Sequence, residues 1–151
     1  MAIARMNQEE TDRENRETCR RIAEVLDKIA AGELYYCSKC GNIVNLEFNE
    51  EGIAECPDCG TEIQEDDAEQ ACMYHYFESD DIYDIEYRIS ASGDLRSVRY
   101  MIACGGPNIY IDTGTGSVNL FWWSDRAEYP LSREAIQQID EMAEDLYNCN
   151  R

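Results

Sequence analysis

The sequence predicts an α+β fold in which a four-stranded antiparallel meander is flanked by an N-terminal and a C-terminal helix. Three observations support this fold class. After residue 82, runs of alternating apolar and polar residues follow one another and are separated by turns that contain Gly. Both ends of the chain carry apolar residues at helical spacing. Between the first helix and the sheet, two C-x-x-C pairs predict a small inserted metal-binding segment.

The N-terminal helix belongs to the first segment, residues 1–34. The spacing predicts a helix over residues 8–31, and Gly32 is a typical residue to end it. The first half of this helix is polar, so we expect packing to begin near residue 18. The apolar stripe consists of Cys19, Ile22, Leu26 and Ile29.

The middle of the chain divides into two predicted segments. Residues 35–64 hold the two cysteine pairs and a strand-like stretch between them. Residues 65–81 begin with "EDDAEQ" and are predicted to be an acidic linker.

The last segment, residues 82–151, is predicted to contain the sheet and the C-terminal helix. The four strands are expected at residues 82–90, 95–104, 109–113 and 117–123. Ser132 is a suitable N-cap for the final helix, and Glu134 suits the positive end of its dipole. The apolar stripe of this helix is Ile136, Ile139, Ala143 and Leu146.

The cysteine spacing is the strongest functional signal in the chain. Each C-x-x-C pair can direct two sulfur atoms at one ion, and a Gly follows each pair, at 41 and 60, where the backbone must bend back. The segments "CSKCG" and "CPDCG" resemble the knuckles of the zinc-ribbon family over residues 37–60. The resemblance implies one closed, structural Zn²⁺ site in a zinc-ribbon insertion, with Cys37, Cys40, Cys56 and Cys59 as ligands.

Alternatives for the cysteines remain open. A redox role for the C-x-x-C pairs is one alternative, but the sequence around the pairs does not predict the βαβ unit that is typical of redox C-x-x-C motifs. Cys72 and His75 form a C-x-x-H pair that could exchange into the metal site, and His75 is otherwise a surface or packing residue. The four remaining cysteines are interpreted as buried or free thiols: Cys19, Cys72, Cys104 and Cys149.

The charge is extreme and uneven. The net charge is −19, from 32 acidic and 13 basic residues. Between Cys40 and Tyr87 there are fifteen carboxylates and neither Lys nor Arg. Direct binding of nucleic acid by this stretch is disfavoured, because phosphate binding depends on cations, and a basic protein surface is favoured as the partner.

The candidate partner-binding residues combine these carboxylates with aromatic side chains, which are common in interfaces. Trp123 is included because "VNLFWW" is apolar on both faces of a strand, so one face needs a covering helix or a partner. The full set is Glu65, Asp66, Asp67, Glu69, Tyr76, Glu78, Asp80, Asp81, Tyr83, Asp84, Glu86 and Trp123.

A second motif is "IYIDTGTGSVNLFW", residues 109–122, which resembles the active-site loop of aspartic proteases. The resemblance implies a catalytic role for Asp112, which would have to share a proton with a second Asp. A Gly-rich hairpin turn explains the same residues without catalysis. No other catalytic set is apparent, and we expect no enzymatic activity.

This chain is strongly acidic and contains ten Tyr. In these respects it resembles the DNA-mimic inhibitors of phages and mobile elements, which include anti-CRISPR and anti-restriction proteins. The resemblance implies binding and inhibition of a host nucleic-acid-binding nuclease, with carboxylates standing in for phosphates. An adaptor of the transcription or translation machinery is the alternative. We expect a cytoplasmic protein, because the chain lacks an apolar stretch long enough for a membrane span or a secretory signal.

Overall fold

The computed structural model describes residues 2–78 and 82–149, with side chains described from Asn7 onward. The elements, in chain order, are α1 (Ala2–Ala30), β1 (Tyr35–Tyr36), β2 (Ile43–Val44), β3 (Ile53–Glu55), β4 (Glu62–Gln64), a 3-10 turn (Glu65–Asp67), β5 (Glu69–Gln70), α2 (Met73–Phe77), β6 (Asp84–Ile89), β7 (Leu95–Ala103), β8 (Asn108–Asp112), β9 (Ser117–Trp122), β10 (Asp125–Pro130) and α3 (Arg133–Cys149). The α+β class is confirmed.

The main sheet of the described residues has five antiparallel strands in the order β10-β9-β8-β7-β6. The prediction of a four-stranded meander was therefore wrong by one strand. The missed strand, β10, alternates half-buried Ala127 and Tyr129 with charged or polar residues, so its apolar pattern is weak. The preceding turn also contains no Gly, so the sequence gives no turn signal there. Trp123 adopts the positive φ, 55°, that closes the β9–β10 hairpin.

One face of the main sheet packs against the helices and forms the main core. Helix α1 lies against β9 and β10, while α3 contacts α1, α2 and β7. Leu26 of α1 and Ile139 of α3 are fully buried. The buried residues of the sheet face are Val98, Tyr100, Ile109, Ile111, Val118 and Leu120.

The opposite face of the sheet carries arginines that interact within the fold. The Arg99 guanidinium lies 4.6 Å from the ring centroid of Tyr110, and that of Arg126 lies 5.4 Å from the ring centroid of Phe121. The two rings are in edge contact at 5.8 Å. These two guanidinium groups are thus held against aromatic rings of the same sheet.

The segment predicted as an acidic linker, residues 65–81, contains regular structure in its described part. Strand β5 pairs with β1, which in turn pairs with β2, so the three form a small antiparallel sheet. Met73 of α2 is 3% exposed and belongs to the main core. Strands β3 and β4 form a separate two-stranded sheet. This segment therefore ties the cysteine-rich insertion to the main core.

None of the described helices is long and apolar enough to cross a membrane.

Replacing Ile139 by Ala should lower the free energy of unfolding by about 2–5 kcal/mol, because the residue is fully buried and a cavity would remain. Urea unfolding followed by circular dichroism measures this change. The matched control is Ile85→Ala on the edge strand β6, where the side chain is 41% exposed and the loss should be much smaller. Equal losses at the two positions would contradict the assignment of the core.

Candidate metal centre and acidic surface

The two cysteine turns have the same backbone geometry. The Gly41 amide donates to the Cys37 carbonyl at 2.7 Å, and the Gly60 amide donates to the Cys56 carbonyl at 2.8 Å. The two glycines have φ values of 76° and 74°, a left-handed conformation that a side chain would strain. The local sequence thus explains why each pair closes on itself and presents two sulfurs on one side.

The four cysteines that the spacing selected come together. The Sγ atoms of Cys37 and Cys59 are 3.7 Å apart, and those of Cys40 and Cys56 are 3.8 Å apart. All four sulfurs lie within 4.8 Å of one another. Sulfurs held at about 2.3 Å from one tetrahedral ion would be separated by about 3.8 Å. The cluster is therefore compatible with a zinc-ribbon-like knuckle and can hold a metal ion.

The thiol environment also suits a metal. A hydrogen bond with the Thr61 hydroxyl, at 3.1 Å, and the Thr61 amide lower the pKa of Cys59 to about 6. The pKa of Cys40 is lowered by the Asn42 amide, but desolvation and the neighbouring cysteines outweigh this effect and raise it to about 12. Four thiols this close cannot all ionise without a cation. A metal ion replaces their protons, so acid should weaken its binding.

The cluster is part of a second, smaller core. The buried side chains around it are Val44, Leu46 and Ala54. Tyr36 of β1 stacks on His75 of α2, with ring centroids 3.9 Å apart and ring planes at 4°. This contact and the β1–β5 pairing attach the cysteine segment to the remainder of the chain.

The acidic residues of the insertion are exposed to solvent. Ten carboxylates lie between Glu47 and Glu69, and all ten side chains are exposed. Within the described residues, none of these ten pairs with Lys or Arg, and Glu69 alone among them lies near a histidine, with Oε1 3.4 Å from Nε2 of His75. The charge of this surface is therefore uncompensated.

Four of these carboxylates line one cavity of about 340 Å³, which we call the acidic cavity. Glu50 and Glu51 come from the turn before β3, and Glu65 and Asp66 from the 3-10 turn after β4. The Glu65 amide donates to the Gly52 carbonyl at 2.8 Å, which joins the two walls. Glu50 and Glu51 are not among the residues predicted from the sequence, because only the β3–β4 register brings them beside Glu65.

The other predicted partner-binding residues are distributed over several surfaces. Asp67, Glu69 and Glu78 are exposed. Tyr76 is half-buried against the main core, and this burial raises its pKa to about 12. Asp80 and Asp81 lie outside the described residues.

The remaining three predicted residues and Trp123 lie in or next to strands of the main sheet. Tyr83 is 58% exposed, and the neighbouring Asp84 is also exposed. Glu86 accepts a hydrogen bond from Arg99 at 2.8 Å, so its charge is partly compensated. Trp123 is 89% exposed at the tip of the β9–β10 hairpin. The predicted residues that the structure describes thus lie on the 3-10 turn, β5, α2, β6 and its N-terminal flank, and the β9–β10 hairpin.

The side chain of Asp112 is held by contacts within the fold. Its side chain is almost fully buried and accepts two hydrogen bonds from the Arg88 guanidinium, at 3.0 and 2.9 Å. It also accepts the Gly114 amide at 2.8 Å within the β8–β9 turn. The partner is thus a cation, and not the second carboxylate that an aspartic protease requires. These contacts favour the interpretation of the D-T-G segment as a hairpin turn.

Comparison of the chain with protein-family models, curated proteins and solved structures finds no match. The zinc-ribbon resemblance therefore rests on the four cysteines and their geometry alone.

Replacing Asp112 by Asn should lower the free energy of unfolding by about 1–3 kcal/mol, because the Arg88 guanidinium loses its ionic partner at a largely buried site. The measurement is urea unfolding, with Asp67→Asn on the exposed surface as the control. A casein-cleaving activity in acid that Asp112→Asn abolishes would contradict the structural role.

Proposed function

We propose that this chain is a zinc-pinned acidic module that binds a basic protein surface and inhibits a nucleic-acid-binding nuclease. The acidic cavity carries the proposal. Its lining residues include four carboxylates and no Lys or Arg. Such a concave site favours entry of a Lys or Arg side chain from a partner.

The basic partner is best matched by a protein that already binds phosphate. Nucleic-acid-binding grooves present Lys and Arg toward a backbone that carries one negative charge per about 1.7 Å of duplex. Exposed carboxylates on a folded surface can occupy the same cations. We therefore propose a nuclease of the restriction or CRISPR type, in the cytoplasm of a host cell, as the target.

Zinc has a structural role in this proposal. The second cysteine turn, residues 56–61, is the turn of the β3–β4 hairpin, and the acidic cavity lies at the base of the same hairpin. One ion held by four thiolates closes the tip of the hairpin and leaves no position for a substrate. Four thiolates with one Zn²⁺ also add about two negative charges to the segment. We therefore assign the metal to shaping the acidic surface.

Zinc content tests the metal assignment. The chain should bind one equivalent of Zn²⁺, and Cys37→Ser should lower both zinc affinity and the protection of residues 35–70 from hydrogen exchange. Cys104→Ser is the matched control, because that thiol is exposed and lies outside the cluster. Zinc binding that is equal in the two variants would contradict the assignment.

Charge reversal tests the partner. The double variant Glu65→Lys, Asp66→Lys should lose inhibition of DNA cleavage by about tenfold or more, because two cavity carboxylates become repulsive. The assay is a panel of CRISPR and restriction nucleases at several salt concentrations, and inhibition by the unchanged chain should weaken as salt rises.

The matched control for charge reversal is Glu9→Lys, Glu10→Lys on the exposed surface of α1, which changes the net charge equally. An equal loss of inhibition in both double variants would show that inhibition depends on net charge alone and would contradict a role for the acidic cavity. Recovery of polymerase or ribosomal factors, with no nuclease inhibited, would support an adaptor in place of an inhibitor.

A further inference from the structure

Strand β6 is an edge of the main sheet and carries exposed apolar side chains. Among the described residues it pairs with β7 alone, so the backbone groups on its other side have no strand to pair with. Tyr83, just before the strand, is exposed, and so are Ile85 and Ile89 within it. Because residues two apart in a strand face the same side of a sheet, these side chains and Tyr87 lie on one face.

This face of β6 is a continuation of the main core. Ile85 lies opposite Tyr100 and Tyr87 lies opposite Val98 in the β6–β7 pair, and both residues of β7 are fully or almost fully buried. Helix α3 reaches Tyr87, whose ring centroid is 5.5 Å from that of Tyr147. The apolar side of the sheet therefore extends beyond α3 onto β6, where it meets solvent.

The opposite edge strand, β10, is protected in ways that β6 is not. Helix α1 packs against β10, and the apolar residues of that strand are half-buried. The last residue of β10, Pro130, cannot donate a backbone hydrogen bond. Edge strands of natural proteins are commonly blocked by such coverage, by Pro or by Lys. Strand β6 contains neither Pro nor Lys.

The sequence of β6 is complementary to itself in one antiparallel register. Two copies of the strand keep their apolar faces on the same side of a joint sheet when one residue lies opposite itself on a twofold axis. With Tyr87 on the axis, Glu86 of each copy lies opposite Arg88 of the other, and Ile85 lies opposite Ile89. Axes at residues 85, 86 and 88 would each place like charges opposite one another, which is unfavourable.

We propose that two copies of this chain associate through β6, with Tyr87 on the twofold axis. The two main sheets then form one antiparallel sheet with five strands from each copy. Both ends of the joint sheet are the protected strand β10, so association stops at two copies. The contact is short, because β6 has six residues, and we expect a weak dimer with a dissociation constant of about 1–100 μM.

The charged side chains that select the register can reach a second copy. The side chains of Glu86 and Arg88 are 47% and 39% exposed. Within the chain, Glu86 accepts a hydrogen bond from Arg99, and Arg88 donates two to Asp112. These bonds hold both side chains on the face of the sheet opposite the apolar residues. Charge on one face and apolar packing on the other therefore favour the same register.

The net charge predicts how the association depends on salt. Each copy carries a net charge of −19, so two copies repel one another over long distances. Salt screens this repulsion and leaves the apolar contact in place. Dimerisation should therefore strengthen as salt rises, whereas binding of a basic partner to the acidic cavity should weaken.

Sedimentation equilibrium of the zinc-loaded full chain tests the proposal over about 5–500 μM protein, at low and high salt. The unchanged chain should shift from one copy to two as its concentration rises. Ile85→Lys should raise the dissociation constant at least about tenfold, because Lys on an edge strand opposes pairing. The matched control is Trp123→Lys, which also replaces an exposed apolar residue by Lys but at the tip of the β9–β10 hairpin. This control should dimerise like the unchanged chain.

Hydrogen exchange of the unchanged chain locates the contact and decides the question even if Ile85→Lys does not fold. Protection of amides in residues 84–90 should rise with protein concentration, and protection of residues 62–70 and 125–130 should not. A chain that remains monomeric up to about 500 μM at high salt would overturn the proposal. Dimerisation that Ile85→Lys leaves intact, or that Trp123→Lys abolishes, would do the same, as would protection that rises in β10 in place of β6.

Discussion

The close approach of the four cysteine sulfurs, which lie within 4.8 Å of one another, is the interaction on which the shape of the acidic cysteine segment depends. The segment from Tyr35 to Gln64 has a core of only a few buried side chains, and a core of that size does not stabilise an independent fold. The cysteine turns connect β1 to β2 and β3 to β4. Joining the turns therefore fixes the positions of both strand pairs, and with them the carboxylates that surround the acidic cavity.

The remainder of the molecule supports this segment without neutralising it. The main sheet has its own ion pairs, such as Arg88 with Asp112, and its arginines stack on its own aromatic rings. Strand β5 and helix α2 then connect the sheet and helices to the cysteine segment through pairing with β1 and through the stack of His75 on Tyr36. The ten carboxylates between Glu47 and Glu69 therefore have no Lys or Arg partner among the described residues.

Features that depend on neighbouring residues were predictable from the sequence, and features that depend on distant pairing were not. The four metal-ligand candidates follow from spacing within two tight turns, and most strands follow from alternation. The strand β10 was missed because Trp123 adopts a conformation that usually requires Gly, and because the alternating partners of Ala127 and Tyr129 are charged or polar. The acidic cavity was missed because its walls come from residues 50–51 and 65–66, on either side of the second cysteine turn. In the same way, Cys72 and His75 form a visible C-x-x-H pair, but only the structure shows that Nε2 of the ring lies beside Glu69.

The central claim is that a metal-held acidic surface captures a basic partner. Its most direct test is a titration of the zinc-loaded, isotope-labelled chain with a Lys-rich peptide, followed by amide chemical shifts. We expect shifts concentrated at residues 50–52 and 65–67, which weaken at high salt and disappear when a chelator removes the metal. Shifts that centre on another surface, or that persist unchanged after chelation, would contradict it.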